Sequence, residues 1–237
     1  FWTDGNSEPK KINIDRSKQG TSDISTHTKL IVDGIDVGDV EEENITVIKK
    51  KPTKAPVTKT VFTSTYVASS GIPSLFEKTF SRFSYRYKYE DGEYSSFAPF
   101  SEIAFLPGEY SYEPKKGLNN GMKNTLRALK VKQYYHKKGI GPEDVVEIDI
   151  LYKETNNPTV YVYKTIKPTD PHPVWPDFNK SGIEHRGELE VTKELVHALV
   201  PSNQLLRSYD NVPRIALAQE ITANRLVYAN YLQGYTV

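Results

Sequence analysis

The chain has 237 residues, and its 31 basic and 30 acidic residues leave a formal net charge of +1, which gives no electrostatic case for nucleic-acid binding. It contains no cysteine, which excludes disulfides and cysteine metal sites. The 16 Tyr and nine Phe against one Met favour β-structure, and no apolar run approaches the roughly 18 residues of a membrane span.

The first 52 residues are predicted to form short strands. Residues 1–4 (FWTD) make a compact aromatic strand followed by a Gly-Asn-Ser turn cluster, a pattern typical of β-propeller blades. Residues 29–32 and 44–48 are two further strand candidates, separated by an acid- and glycine-rich link. We therefore expect a propeller- or barrel-like part over residues 1–52.

A lysine- and proline-rich run, KKKPTKAP at residues 49–56, marks the clearest domain boundary. Its prolines cannot continue a central strand and favour extended backbone before them. We interpret the run as an exposed linker, with a nuclear-localisation or phosphate-binding signal as the alternative. Residues 57–67 are rich in β-branched side chains and predict the opening strand of a new domain.

A tyrosine-rich hairpin over residues 80–105 is the strongest local pattern. Aromatic and polar residues alternate, which places four rings on one strand face: Phe83, Tyr85, Tyr87 and Tyr89. Gly92 supplies a turn, and residues 94–105 are predicted to return as a strand in which Pro99 limits pairing. The basic residues between the rings predict a solvated face, with a nucleic-acid stacking surface as the alternative. The pattern resembles the last hairpin of a fibronectin III-like sandwich, although any antiparallel hairpin fits.

Two sandwich-like units are expected, one over residues 53–108 and a second, with its connectors, over residues 109–200. The second is indicated by alternation over residues 146–152 and by a further strand over residues 159–166. Long polar connections, longer than the about 4–6 residues that usually join elements, predict contact with partners. Their candidate interface anchors are Tyr110, Tyr112 and Trp175.

The last segment, residues 201–237, predicts a hairpin region that pairs with the N-terminal part. Residues 215–222 and 225–231 are its strands, and Ala223 and Asn224 form its turn; the alanine-rich first strand could instead be helical. We expect the two ends of the chain to lie close together, with residues 53–200 inserted between them.

No catalytic, metal or cofactor motif stands out. The five histidines have no metal-ligand spacing, and no nucleophile elbow or phosphate-binding loop is present. Three acidic clusters leave a cation site as an alternative: Asp33, Asp36 and Asp39; Glu41, Glu42 and Glu43; and Glu90, Asp91 and Glu93. We predict no catalytic residue, no bound metal and no cofactor, so the chain is not expected to be an enzyme.

Three segments in order resemble the muzzle, or tail nozzle, proteins of crAss-like short-tailed bacteriophages, also called stabilization proteins. They are FWTDG-N-P-INI over residues 1–14, Y-RY-Y-DG-S-F-P-S over residues 85–101 and D-VP-A-Q-NR-VY-NY over residues 210–231. The motif positions with structural roles are Phe1, Trp2, Asp4, Gly5, Tyr85, Tyr87, Asp91, Gly92, Asp210, Val212, Pro213, Asn224 and Arg225.

The resemblance implies a virion component at the end of the tail channel, made in the bacterial host. It implies a homo-oligomeric ring that contacts other tail proteins, retains the packaged genome and releases it. DNA would pass through without sequence readout. A whole nozzle subunit is much longer, so parts of the parent protein are expected outside this chain. The alternative functions are a fibronectin-rich surface or adhesion module that binds glycan or protein, and an accessory region of a glycoside hydrolase.

Overall fold

The fold is built almost entirely from antiparallel strands. The computed structural model describes residues 1–12, 14, 29–32, 35–40, 42–47, 52–61, 71–90, 92–135, 144–177, 182–194, 198–205 and 213–232. Its strands are β1 (Lys29–Val32), β2 (Ile35–Asp39), β3 (Val57–Thr60), β4 (Ser81–Tyr89), β5 (Tyr112–Glu113), β6 (Leu118–Asn119), β7 (Leu129–Lys132), β8 (Val145–Glu154), β9 (Tyr161–Ile166), β10 (Glu188–Val191), β11 (Ala198–Leu199), β12 (Ile215–Thr222) and β13 (Arg225–Leu232). The described helices are single turns: α1 (Glu42–Ile45), α2 (Ser202–Leu205) and two 3₁₀ turns, Asn120–Met122 and Ile183–His185. The expected all-β class is confirmed.

Two sheets enclose the main hydrophobic core. One has four strands in the order β11-β9-β8-β4, and the other has three in the order β10-β7-β3. Side chains from both sheets belong to a single cluster of buried residues. The remaining described sheets are two-stranded ribbons, β1-β2, β5-β6 and β12-β13, and each described sheet is open.

The aromatic face of β4 forms the centre of this core, as the alternation predicted. The four rings of the pattern are fully buried: Phe83, Tyr85, Tyr87 and Tyr89. Phe76 stacks on Tyr152 of β8 with ring centroids 5.3 Å apart, and both contact Phe83. Burying aromatic rings of this size contributes a large part of the hydrophobic stabilisation of a domain.

The two expected sandwich units are joined in the structure. Strand β4, from the range 53–108, pairs along its whole length with β8, from the range 109–200. Strand β3 likewise pairs with β7, and β7 with β10. The strands of both ranges therefore share the same two sheets and one core. The period-two pattern predicts which face of each strand is buried, but it does not predict which strands are neighbours in the sheet.

The return segment after Gly92 is not the predicted strand. Every third residue of this segment donates its backbone N–H to every second carbonyl of β4, at 2.7–2.9 Å. The donors are Ser95, Ala98, Ser101 and Ala104, and the acceptors are Tyr87, Tyr85, Phe83 and Ser81. The four donors are small and buried, while Pro99, which has no N–H, falls between two of them. The segment thus covers the outer edge of β4 and protects it from pairing with another chain.

The N-terminal region also departs from its predicted strands. Asn44 and Ile45 lie in the short helix α1, so the strand predicted for residues 44–48 is wrong. The acid- and glycine-rich link contains β2, which pairs with β1. Residues 33 and 34, between these two strands, lie outside the described residues.

The C-terminal hairpin forms as a regular antiparallel ribbon, and its first strand is not helical. Ala223 and Asn224 have positive φ values of 46° and 60°, which is the backbone of a tight hairpin turn. The ladder pairs Ile215 with Leu232 at one end and Thr222 with Arg225 at the other. The ribbon is a two-stranded sheet of its own and pairs with no strand of the N-terminal part among the described residues.

Candidate functional site

The N-terminal motif folds into a turn that Asp4 holds together. The Asp4 carboxylate accepts the backbone N–H groups of Asn6 and Ser7, both at 2.8 Å, and the Ser7 hydroxyl at 2.7 Å. Gly5 takes a φ of +72°, a backbone conformation that other residues rarely adopt. Trp2 and Lys10 close the turn through two backbone hydrogen bonds of 2.9 Å. Asp4 and Gly5 of the family pattern therefore have local structural roles.

A buried lysine neutralises the acids around this turn. The ammonium of Lys10 lies 3.1 Å from Asp4 and 3.0 Å from Glu42 of α1, and it also donates to the Ser7 hydroxyl. Burial lowers the pKa of Lys10, but its hydrogen bonds to Glu42 and Asp4 outweigh that effect and hold the pKa above its ordinary value. Lys10 remains a cation that ties the turn to α1.

The same turn contacts both the C-terminal hairpin and the sandwich. The Thr3 hydroxyl donates to the carbonyl of Ala216 in β12, and Gly5 lies so close to Leu217 that a Cβ there would be 2.8 Å from that side chain. Lys11 forms a 2.5 Å ion pair with Glu93, next to the turn after β4. The two ends of the chain thus touch each other, through a side-chain hydrogen bond and not through a ladder.

The acids of this turn predict a pH dependence. Hydrogen bonds from the Ser7 and Asn6 backbone lower the pKa of Asp4 below its ordinary value of 3.8, and a hydrogen bond from Lys10 lowers that of Glu42. Groups with a depressed folded pKa stabilise the fold fully above their unfolded pKa, and this contribution is lost as the pH falls through the folded pKa. We expect faster amide hydrogen exchange at Asn6 and Ser7 once the pH falls below about 4.

An Asp4→Asn variant is the control for this pH effect, because its amide oxygen still accepts hydrogen bonds but does not titrate in this range. Its residual pH dependence should be weaker than that of the natural chain. Equal exchange at Asn6 and Ser7 on both sides of pH 4, after correction for the intrinsic rate, would contradict the role given to Asp4.

The C-terminal hairpin exposes an apolar surface. Residues directly opposite in its ladder share a face, so Ile215, Leu232, Ile221 and Leu226 lie together on one face. On that face the side chain of Ile221 is 60% exposed and that of Leu232 is 63% exposed. We call this the hairpin face. Gln219 and Tyr228, opposite each other on it, carry buried side-chain oxygens without a hydrogen-bond partner among the described residues.

The predicted interface anchors have different surroundings. Tyr110 is 80% exposed and Tyr112 is 52% exposed, on an arm whose tip is the small β5-β6 hairpin. Trp175 is half-buried and packs against the core of its own chain, so only part of its ring is accessible to a partner. Of the three predicted anchors, the two tyrosines are the more accessible to a partner.

The remaining motif positions that the structure describes are spread over the core, the turns and the surface. Tyr85 and Tyr87 lie in the core, Gly92 has a φ of +82°, Pro213 is buried before β12, and Asn224 and Arg225 begin the return of the hairpin. Phe1 and Trp2 are exposed beside the N-terminal turn. Asp91, Asp210 and Val212 lie outside the described residues.

A buried ion pair on the outer face of the four-stranded sheet was missed by the sequence reasoning. Arg86 was predicted to lie on a solvated face, yet it is only 4% exposed, and its Nε is 2.8 Å from Oδ2 of Asp149, itself 3% exposed. The hydroxyl of Thr165 donates to the other Asp149 oxygen at 2.6 Å. The guanidinium lies 4.0 Å from the ring centroid of Tyr94, so a cation-π contact covers it. The only sequence signal was an opposite-charge pair on two strands that were not known to be neighbours.

The parts of the chain that the structure describes contain no group of three or more His, Asp or Glu residues arranged to hold a metal ion. No helix in those parts is long and apolar enough to cross a membrane. Comparisons with family models, curated proteins and solved structures find no match.

Proposed function

We propose that the chain is a non-enzymatic structural subunit of a phage tail nozzle. In this proposal, copies of the parent protein form a ring in the virion tail, contact other tail proteins and surround a channel through which DNA passes without sequence readout. The three sequence segments that resemble nozzle proteins support the proposal, because residues of two of them meet in one junction: the N-terminal turn and the start of β12.

The observation that carries the proposal is the exposed hairpin face. An isolated two-stranded hairpin is at best marginally stable in water, and this one displays leucine and isoleucine side chains to solvent. Large apolar side chains exposed at both ends of one ribbon face support an interaction surface there. A subunit that is buried on assembly has a reason to keep such a surface, whereas a lone soluble module does not.

We propose in addition that the two sheets form a fibronectin III-like sandwich. A three-stranded and a four-stranded antiparallel sheet around one core support a fibronectin III-like sandwich. The hairpin-like unit of β4 and residues 95–104 comes early in the chain, whereas it resembles the last hairpin of that fold. The assignment therefore requires a permuted strand order. The β1-β2 and β12-β13 ribbons would complete a propeller- or barrel-like part with strands from outside this chain.

Sedimentation of the purified chain with charge substitutions on the hairpin tests the proposal. We expect concentration-dependent self-association in the natural chain, and its loss in Ile221→Asp, because a buried unpaired carboxylate is costly in an apolar interface. Ala229→Asp is the matched control: Ala229 is exposed and pairs with Ala218, on the opposite ribbon face.

A chain that stays monomeric at all concentrations, with Ile221→Asp behaving as the natural sequence, would contradict self-assembly through this face. Binding of the monomer to a glycan or host-surface protein would then favour the adhesion module. Equal loss of association in both variants would show that the hairpin acts through its stability and not through this face.

A further inference from the structure

A pocket lies on the outer face of the four-stranded sheet, next to the buried ion pair. Strands β4, β8, β9 and β11 together with α2 form its walls, and its volume is about 540 Å³. Neither the sequence motifs nor the proposed assembly uses this pocket.

The pocket positions one arginine rigidly. The Nε of Arg86 donates to Asp149 at 2.8 Å, its Nη1 donates to Oε1 of Gln204 at 2.7 Å, and its plane is covered by Tyr94. Among the described residues, the second terminal nitrogen, Nη2, makes no hydrogen bond. Arg86 is therefore pre-organised, with donors still available to a ligand.

The hydrogen-bonding capacity that remains in the pocket consists mainly of donors. Both Asp149 oxygens are engaged, by Arg86 and Thr165, and the Gln204 oxygen accepts from Arg86. The free donors are Nη2 of Arg86, the amide nitrogen of Gln204 and the ammonium of Lys164, which is 3.5 Å from Asp170. A ligand that satisfies these groups must supply acceptors.

The charge and the lining of the pocket further restrict the class of ligand that it can bind. Two cations, Arg86 and Lys164, are balanced by two nearby carboxylates, so a monoanion is favoured over a dianionic phosphate. A carboxylate can accept a charge-assisted hydrogen bond from Arg86 Nη2 with one oxygen and a hydrogen bond from the Gln204 amide with the other. The opposite wall is apolar and is made by Val162, Ala198, Leu199 and Pro201.

We propose that this pocket binds a carboxylate attached to an apolar body, either a small free acid or the C-terminal carboxylate of a peptide. The carboxylate contacts Arg86 Nη2 and the amide of Gln204, and the apolar body packs on Val162 and Leu199. Binding needs no change in the Arg86–Asp149 pair.

Titration of the folded chain with N-acetyl-leucine and with its neutral amide, followed by NMR, tests this proposal. We expect the amide to bind about tenfold more weakly or worse, because it loses a charge-assisted hydrogen bond. 4-Methylpentanoate, which is N-acetyl-leucine without its acetamido group, separates the two sources: equal binding of this acid supports a free acid, and weaker binding supports a peptide terminus. Inorganic phosphate that binds as tightly as the carboxylates, or an amide that binds equally well, would overturn the proposal.

Variants locate the binding without disturbing the buried ion pair. Ala198→Trp places a large side chain in the pocket from an exposed position, and we expect about a tenfold or larger loss of N-acetyl-leucine affinity with unchanged thermal unfolding. Ile183→Trp, at a 59% exposed position that does not line the pocket, is the matched control and should bind normally. Normal binding by Ala198→Trp would rule out this pocket.

Discussion

Asp149→Ala is expected to destabilise the chain by about 3–5 kcal/mol, because it leaves the guanidinium of Arg86 buried without its counter-charge. The ion pair is formed between adjacent positions of β4 and β8, and both side chains are almost fully buried. Water in the adjacent pocket can replace only part of the lost carboxylate, because Arg86 is only 4% exposed, and Thr165 also loses its acceptor. Chemical denaturation, followed by the fluorescence of the aromatic residues, measures the loss.

The neighbouring pair on the same two strands provides the control. Lys88 and Glu147 are 2.9 Å apart in the same cross-strand arrangement, but their side chains are 30% and 21% exposed. Glu147→Ala should therefore cost only about 0–1 kcal/mol, as for ion pairs that remain in contact with water. A double replacement of Arg86 and Asp149 by apolar residues should recover much of the loss. Similar losses in Asp149→Ala and Glu147→Ala would show that burial does not control the effect.

Gly187→Ala is expected to destabilise the chain by about 3 kcal/mol or more, through overpacking and backbone strain together. Gly187 has a φ of +89°, and a Cβ there would lie closer than 3.0 Å to three ring atoms of Tyr134. That ring cannot move easily, because it is fully buried and its hydroxyl donates to the carbonyl of Val174. The free energy of unfolding from denaturant titration checks this expectation.

Gly117→Ala separates the two contributions. Gly117 also has a positive φ, +62°, but a Cβ there meets nothing within 4 Å. The variant should lose only about 1 kcal/mol, the cost of the left-handed backbone conformation. Equal losses at the two glycines would mean that the Tyr134 contact contributes nothing.

Local sequence patterns predicted the elements whose signal is local. The alternation of rings in β4 correctly gave its buried face, and the Ala223-Asn224 turn correctly gave the β12-β13 hairpin. Alternation in β8 likewise gave the buried positions of Ile148 and Ile150. In each case the deciding information lies within about ten residues of chain.

Long-range pairing could not be predicted in the same way. Arg86 and Asp149 are 63 positions apart, and nothing local to either one indicates that β4 and β8 are neighbours. The burial of Arg86, the pocket beside it and the merging of the two expected units all depend on that pairing. The segment after Gly92 was wrongly predicted as a strand. Its small, buried residues recur at every third position, and this spacing matches neither the period of a strand nor that of a helix.

The tail-nozzle assignment is tested most directly by electron microscopy of the intact particle or assembly that contains this chain. We expect a closed ring of copies, coaxial with a DNA channel, in which the hairpin face that includes Ile221 and Leu232 is buried against a neighbouring subunit. A single copy at a cell surface, or a ring in which this hairpin face remains exposed to solvent, would contradict the account.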